Sequence, residues 1–280
     1  MSAKIIYDMP AADYHAAKAL SASKIKQGRV SMRHMRQAVV GPPKEQTAAM
    51  RWGTLLHAAL LEPAVFSAKA SIYEGKRDDR VKAWQEHCAE HDKEFALKQD
   101  EMGKLLSSVS RIVADPNAAR LLEDAQKEVS IFWEDNLYGP AKARIDVVGP
   151  AGLVLLKTTR GFAPGKTASD KLRPFWSTAG RLGYLLQGGW YRHGHSIAAK
   201  CQEATVHAII QESSEPYDVV VARIPESMLA EGYEEAALIA KEYRVCESLG
   251  HFSGVTDEVI EWERPGWAGV GAAEWEPGEE

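Results

Sequence analysis

Cysteine is scarce in this chain: three in 280 residues, Cys88, Cys201 and Cys246, odd in number and far apart. They form no CxxC pair and no zinc or iron–sulfur spacing, which excludes a disulfide scaffold and a thiolate metal site and leaves a reduced, cytoplasmic protein as the simplest expectation. Long apolar runs are missing too. No stretch approaches the ~18 residues that span a bilayer, and the opening MSAKIIYDMP has no apolar signal core. There is no internal repeat. A strong excess of one charge is also absent, since the formal net charge is −5. That figure argues against a nucleic-acid partner only as long as the charge is spread evenly.

It is not spread evenly. Residues 141–200 hold ten cations, among them Lys142, Arg144, Lys157, Arg160, Lys166, Lys171, Arg173 and Arg181, against only Asp146 and Asp170. The segment carries +8 and the other 220 residues −13. Such asymmetry suggests a polyanion-binding surface on an acidic body, although a solvated basic face would read the same way.

Periodicity divides the chain. Ser21 suits a helix N-cap, and a second short helix is expected near Ser31. TAAMRWGTLLHAALLEP predicts a helix with an apolar stripe of Met50, Leu55, Leu56, Ala59 and Leu60, stopped by Pro63. KASIYEG predicts a short strand. Residues 78–92 and 97–124 predict amphipathic helices, with a break at Asp115-Pro116. Beyond residue 125, EVSIFWED, AKARIDVV and LVLLKTT alternate like strands over short links and predict an antiparallel meander. A long helix over about 175–198, strands ATVHAIIQ and YDVVVARI, and a helix over about 226–249 complete the pattern. Helices followed by βββ-α-ββ-α predict an α/β fold, a sheet flanked by helices. Trp262 and Trp267 fit packing better than base stacking, and the chain beyond Trp267 is expected to fray.

LVLLKTT poses a chemical question, because an apolar run that reads as a buried strand ends on a lysine. Leu153, Leu155 and Lys157 share a face, and Asp146 ends the strand before. A carboxylate and a lysine on neighbouring strands, with a second carboxylate two residues before the lysine, would hold Mg²⁺ beside a phosphate and offset developing charge. Here that second position is Leu155. GFAPGKTAS imitates a phosphate loop, but Gly161 and Gly165 enclose three residues where the motif needs four, so a basic loop over a polyanion is the better reading.

These segments, in this order, resemble the exonuclease VIII (RecE)-type branch of the PD-(D/E)xK nucleases, related to the RecB-type nuclease domains. ADYHAAKALSASKIKQ is similar to the family's opening, GTLLHAALLEP to its helix with a metal-side histidine, ARIDVV to the strand of its first aspartate, LVLLKTT to its VDLKTT-like strand, and QGGWY to its QxxxY helix. The likeness runs from about Tyr14 to Trp267. It implies a PD-(D/E)xK restriction-endonuclease-like core over 126–268, a helical part over 1–125 that contributes His57, and an acidic tail over 269–280, all in one structural domain. By resemblance, His57, Asp146 and the position of Leu155 are metal-side, with the Leu156 backbone as a further oxygen. Lys157, Asp146, Gln187 and Tyr191 are catalytic, and Arg144, Thr158, Arg160, Lys166, Lys171, Arg173 and Arg181 meet DNA. The implied protein is a Mg²⁺-dependent (or Mn²⁺-dependent) exodeoxyribonuclease. It would digest linear duplex DNA 5′→3′ in a bacterial host cytoplasm and feed a single-strand annealing protein. It would work as a homo-oligomeric ring, trimer or tetramer, whose channel the basic segment lines. The departure at Leu155 leaves three readings: a DNA-binding protein without catalysis, an acid supplied instead by Glu62 or Glu128, or an inactivating change.

Overall fold

The computed structural model describes residues 3–42 and 45–261. Trp262, Trp267 and the acidic tail lie outside the described residues. Among the described residues, eight strands and eleven α-helices follow one another in this order. β1 (Ala3–Ile6) precedes α1 (Ala11–Ala16), α2 (Ala22–Ile25), α3 (Met32–Val40), α4 (Ala48–Leu61) and α5 (Pro63–Lys69). β2 (Ser71–Ile72), α6 (Lys82–Glu90), β3 (Ala96–Leu97), α7 (Gln99–Ala114) and α8 (Pro116–Leu122) follow. The second half is β4 (Gln126–Asp135), β5 (Gly139–Gly149), β6 (Gly152–Thr159), α9 (Ala168–Leu182), α10 (Tyr184–Ala199), β7 (Val206–Glu212), β8 (Val219–Ile224) and α11 (Glu226–Leu249).

Six strands form one sheet in the order β1-β4-β5-β6-β7-β8, and β2 and β3 pair as a small separate ribbon. β4, β5 and β6 are the antiparallel meander that their alternation predicts. β6 and β7 run parallel, which demands a crossover, and α9 and α10 supply it. One face of the sheet packs Ile131, Ile145, Leu153 and Leu155 against α10, α11 and the short N-terminal helices through Trp190, Leu229, Ile25 and Met35. The other face packs Val147, Val154, Leu156 and Ile209 against α4, α7 and α8 through Leu56, Leu105, Ile112 and Leu121. α9 covers Ala208 and Ile210 with Leu172 and Phe175. Among the described residues no helix is long and apolar enough to cross a membrane.

Local chemistry explains the boundaries, including those that periodicity misplaces. Thr47 starts α4 by accepting from the Met50 amide. Pro63 ends that helix and also opens α5 at its first position, where its missing N–H is harmless. The expected apolar stripe of α4 is shifted: Leu55, Leu56, Ala58 and Leu61 are buried, whereas Met50 is exposed. The single long helix expected over 175–198 is two helices. A Thr167–Asp170 capping box starts α9 at Ala168, so Lys171 and Arg173 lie on a helix rather than in the expected basic loop. Gly183, at φ +69°, then turns the chain into α10. β1 was not foreseen from AKII. It is short, and it is held by antiparallel pairing to β4 rather than by strong alternation of its own.

Candidate metal centre at the fork of β5 and β6

Two irregularities in the sheet create the site. Lys127 pairs with Val147 and Val129 with Ile145, but the intervening Glu128 and Asp146 are not paired. Glu128 lies at φ +51°, a left-handed conformation that costs a non-glycine residue ~1–2 kcal/mol. Ile145 packs toward α10 and α11, whereas Val147, of the same parity, packs toward α4 and α7. The strand therefore exchanges its faces at Asp146. Strain of this kind persists only where surrounding contacts over-determine it, and it clusters at functional sites. The second irregularity is a fork. The β5–β6 ladder ends at Val147–Val154 although β6 continues to Thr159. In the gap, Asp146 Oδ2 accepts the Leu156 amide at 2.7 Å.

His57 enters the fork from α4. Its Nε2 donates to the Leu156 carbonyl at 3.2 Å and lies 4.0 Å from Asp146 Oδ2, while Nδ1 lies 3.5 Å from Glu128 Oε1. Lys157 completes the group from β6, with Nζ 3.9 Å from Asp146 Oδ2 and 5.1 Å above the Tyr184 ring. Arg144 stands behind Glu128, donating to its Oε2 at 2.6 Å and to the Met9 carbonyl at 2.7 Å, with Glu62 at 3.4 Å.

The electrostatics follow from that crowding. Burial works against charge on His57, but the Asp146 carboxylate and the hydrogen bond to Glu128 outweigh it, and the imidazole pKa is raised. Burial likewise raises Glu128, yet His57 and Arg144 more than compensate and hold its carboxyl below the usual value. Glu62 is pushed up, by burial and by the Glu128 charge. The imidazole thus stands between two carboxylates, beside the position a metal cation would take.

The donor set fits such an ion. One ligand atom each from His57, Glu128 and Asp146 lie within 4.8 Å of one another. Two carboxylates, an imidazole and the nearby Leu156 carbonyl match the oxygen-rich preference of Mg²⁺ and the wider tolerance of Mn²⁺. Leu155 contributes no ligand. It is 1% exposed and packs in the α10–α11 layer beside Gly188. Of the two acids considered as replacements, Glu128 is in the group, and Glu62 stands on the far side, beside Arg144.

The fork opens into a cavity of about 220 Å³ with His57, Glu128 and Asp146 at its base. One wall is Gln187 and Tyr191 of α10, joined by a 2.8 Å bond from the Gln187 amide to the Tyr191 hydroxyl. Burial raises the Tyr191 pKa well above 10, so it stays a neutral phenol. Tyr14, His15, Ser21, Ser23 and Lys26 of the N-terminal segment line the rest of it. Sequence reasoning did not assign these five to the site. The available signal was that all five fall within ADYHAAKALSASKIKQ, the segment that resembles the family's opening.

The basic segment is less uniform than its charge suggests. Arg144, expected at DNA, is turned inward onto Glu128 and Glu62 because β5 buries it. Lys142 is buried and donates to the carbonyls of Tyr14, His15 and Ala17, closing the end of α1. Arg192 is buried against Glu203. Arg160, Lys166, Lys171, Arg173 and Arg181 are exposed, without an ion pair among the described residues. Thr158 is half-buried and follows Lys157 on β6.

No protein-family model matches the sequence, and no curated protein matches it. Among solved structures, the fold is similar to that of a candidate exonuclease from Eubacterium rectale, at a TM-score of 0.62 and 14% identity over 93% of this chain and 97% of that one. The likeness is one of fold: a mixed sheet flanked by helices, shared over nearly the full length of both chains.

Proposed function

We propose that the chain is a metal-dependent exodeoxyribonuclease that digests linear double-stranded DNA. The observation that carries this reading is the His57–Glu128–Asp146 group with Lys157 at its edge, set at the base of an open cavity. The fold shared with a candidate exonuclease supports it. Mg²⁺ or Mn²⁺ held by these three residues would supply Lewis acidity toward a phosphoryl oxygen and ease the ionisation of an attacking water.

The chain's own groups do the rest. Lys157 presents an ammonium to the anion that develops at phosphorus, and the Tyr184 ring below and Asp146 beside it fix its position. Arg144 holds Glu128 in its strained conformation, with Oε1 left toward the cavity. Gln187 and Tyr191 fix each other and form a neutral wall along which a strand can pass. Ser21, Ser23 and Lys26 offer donors to backbone phosphates across the cavity. Digestion 5′→3′, a ring of three or four copies, delivery of the remaining strand to an annealing protein and residence in a bacterial cytoplasm belong to the same reading, and rest on the sequence resemblance.

Leu155 favours a second reading, a DNA-binding recombination accessory without catalysis. Degradation of a 5′-phosphorylated, end-labelled linear duplex in Mg²⁺ and in Mn²⁺, beside a closed circle of the same sequence, decides between them. The nuclease reading predicts loss of the linear duplex only, and a drop of at least ~100-fold for Lys157→Ala, the scale of one preorganised charge. Binding of duplex with no cleavage in either metal would establish the accessory reading instead.

A further inference from the structure

One exposed surface is not used by the chemistry above. On α9, Leu172, Phe175 and Ala179 face the sheet, which leaves Ser169, Arg173, Trp176, Ser177, Gly180 and Arg181 on the outer side, all exposed. These positions recur at intervals of three and four and form one continuous face. Trp176 is 42% exposed, the only exposed tryptophan among the described residues. The helix has one acid, Asp170, and its carboxylate is folded back onto the Thr167 amide and hydroxyl. The outer face therefore combines two arginines, an open indole and small hydroxyl or glycine positions with no acid of its own, and the nearby Glu235 at its Gly180 end is paired with Arg29.

A chain of ring contacts through the buried Phe175 links this face to the metal centre. Lys157 lies over Tyr184, Tyr184 packs 6.0 Å from Phe175, and Phe175 makes an edge contact with Trp176 at 5.2 Å. At the other end, Arg29 donates to the Gly180 carbonyl at 2.7 Å, and Lys26, which lines the cavity, abuts Gly183. From Arg181 to Arg173 the helix advances ~12 Å, the length of three to four stacked nucleotides at ~3.4 Å each.

We propose that this outer face of α9 is a single-strand track, with Trp176 stacking on a base and Arg173 and Arg181 pairing with flanking phosphates of one DNA strand beside the cavity. A single strand is the occupant because its bases are free to meet the indole, whereas a duplex offers only its phosphates to a flat helical face. The proposal deepens the nuclease reading by naming the form of DNA held next to the site.

The test is fluorescence anisotropy with a labelled 20-nucleotide oligothymidylate in EDTA, where no strand is cut. It compares the native chain with Trp176→Ala, Trp176→Phe and the double change Arg173→Ala/Arg181→Ala. The track predicts affinity lower by about 5- to 150-fold for Trp176→Ala, the range of one base–aromatic stack, and near-native affinity for Trp176→Phe. For the double arginine change it predicts a salt slope shallower by about 1.4. The double arginine change should melt with the native chain, since both side chains are exposed, and Trp176→Phe keeps a ring against Phe175 and so controls for packing lost in Trp176→Ala. Unchanged affinity in Trp176→Ala, or an equal loss in Trp176→Phe, overturns the proposal. So does a loss of self-association in place of DNA affinity, which would put a second copy on this face. Cleavage by the native chain in Mn²⁺ is scored separately: a chain that binds through Trp176 and never cuts refutes the nuclease reading and leaves the track standing.

Discussion

At the scale of single residues the site turns on an exchange between Leu155 and Glu128. Leu155 stands where the sequence resemblance expects a metal-side acid, and the structure gives it an apolar setting among Leu186, Trp190 and Leu229. Glu128 joins His57 and Asp146 from β4, on a left-handed backbone. Restoring an acid is therefore not a neutral repair. Leu155→Asp places a carboxylate at a 1% exposed position, near Asp146 and with Lys157 already engaged, and should destabilise the metal-free protein by about 2–4 kcal/mol in urea unfolding. Mn²⁺ should recover part of that loss, because the new acid adds a ligand. Equal stability of the two metal-free proteins would show that Leu155 is not packed as described. Lys157 and Asp146 were legible in the sequence as a lysine ending an apolar strand run and an acid near the end of the strand before it. Glu128 was legible only as one of two alternatives, since no pattern of residue types reveals a left-handed glutamate.

At the scale of elements, the site depends on how closely α10 approaches its neighbours. Gly189 faces α11 so closely that a Cβ would fall on the Leu229 carbonyl and the Tyr233 amide, and a Cβ on Gly232 would fall on the Leu185 carbonyl. This backbone-to-backbone approach seats Gln187 and Tyr191 over the fork. Gly189→Ala has no flexible side chain to displace and should cost at least about 3 kcal/mol, at the upper end of overpacking changes. A loss below about 1 kcal/mol in chemical denaturation would mean that the helix pair yields. The meander, the crossover and α11 were readable from periodicity, because long alternating or amphipathic segments carry their own signal. The division of α9 from α10 was not, because GRLGYLL keeps apolar residues on both sides of the turn and only the backbone angle of Gly183 separates them. The change of face at Asp146 was also hidden. ARIDVV alternates smoothly enough to suggest one continuous face, whereas Ile145 and Val147 lie in opposite layers.

At the scale of the whole molecule, charge and cavity have to be read together. The +8 segment is not one basic surface: Lys142 and Arg144 hold internal carbonyls and carboxylates, Arg192 is buried against the exposed Glu203, and the exposed cations gather on α9 and the loop before it, apart from Lys200 at the end of α10. Composition reveals how many cations a segment has, but not which of them burial turns inward. The N-terminal helices and the sheet meet around a cavity whose base is two acids and a histidine, and the account stands or falls on whether that base holds a metal. The most direct test is the melting temperature of the chelator-treated chain as Mn²⁺ is added, beside Glu128→Gln. A ligand that binds only the folded state stabilises it by ~2.7 kcal/mol at a hundred times its dissociation constant, so the native chain should melt at steadily higher temperature while Glu128→Gln barely responds. A native chain whose melting temperature ignores Mn²⁺, or a Glu128→Gln variant that responds as fully as the native chain, would contradict the assignment of Glu128 as the carboxylate that completes the site.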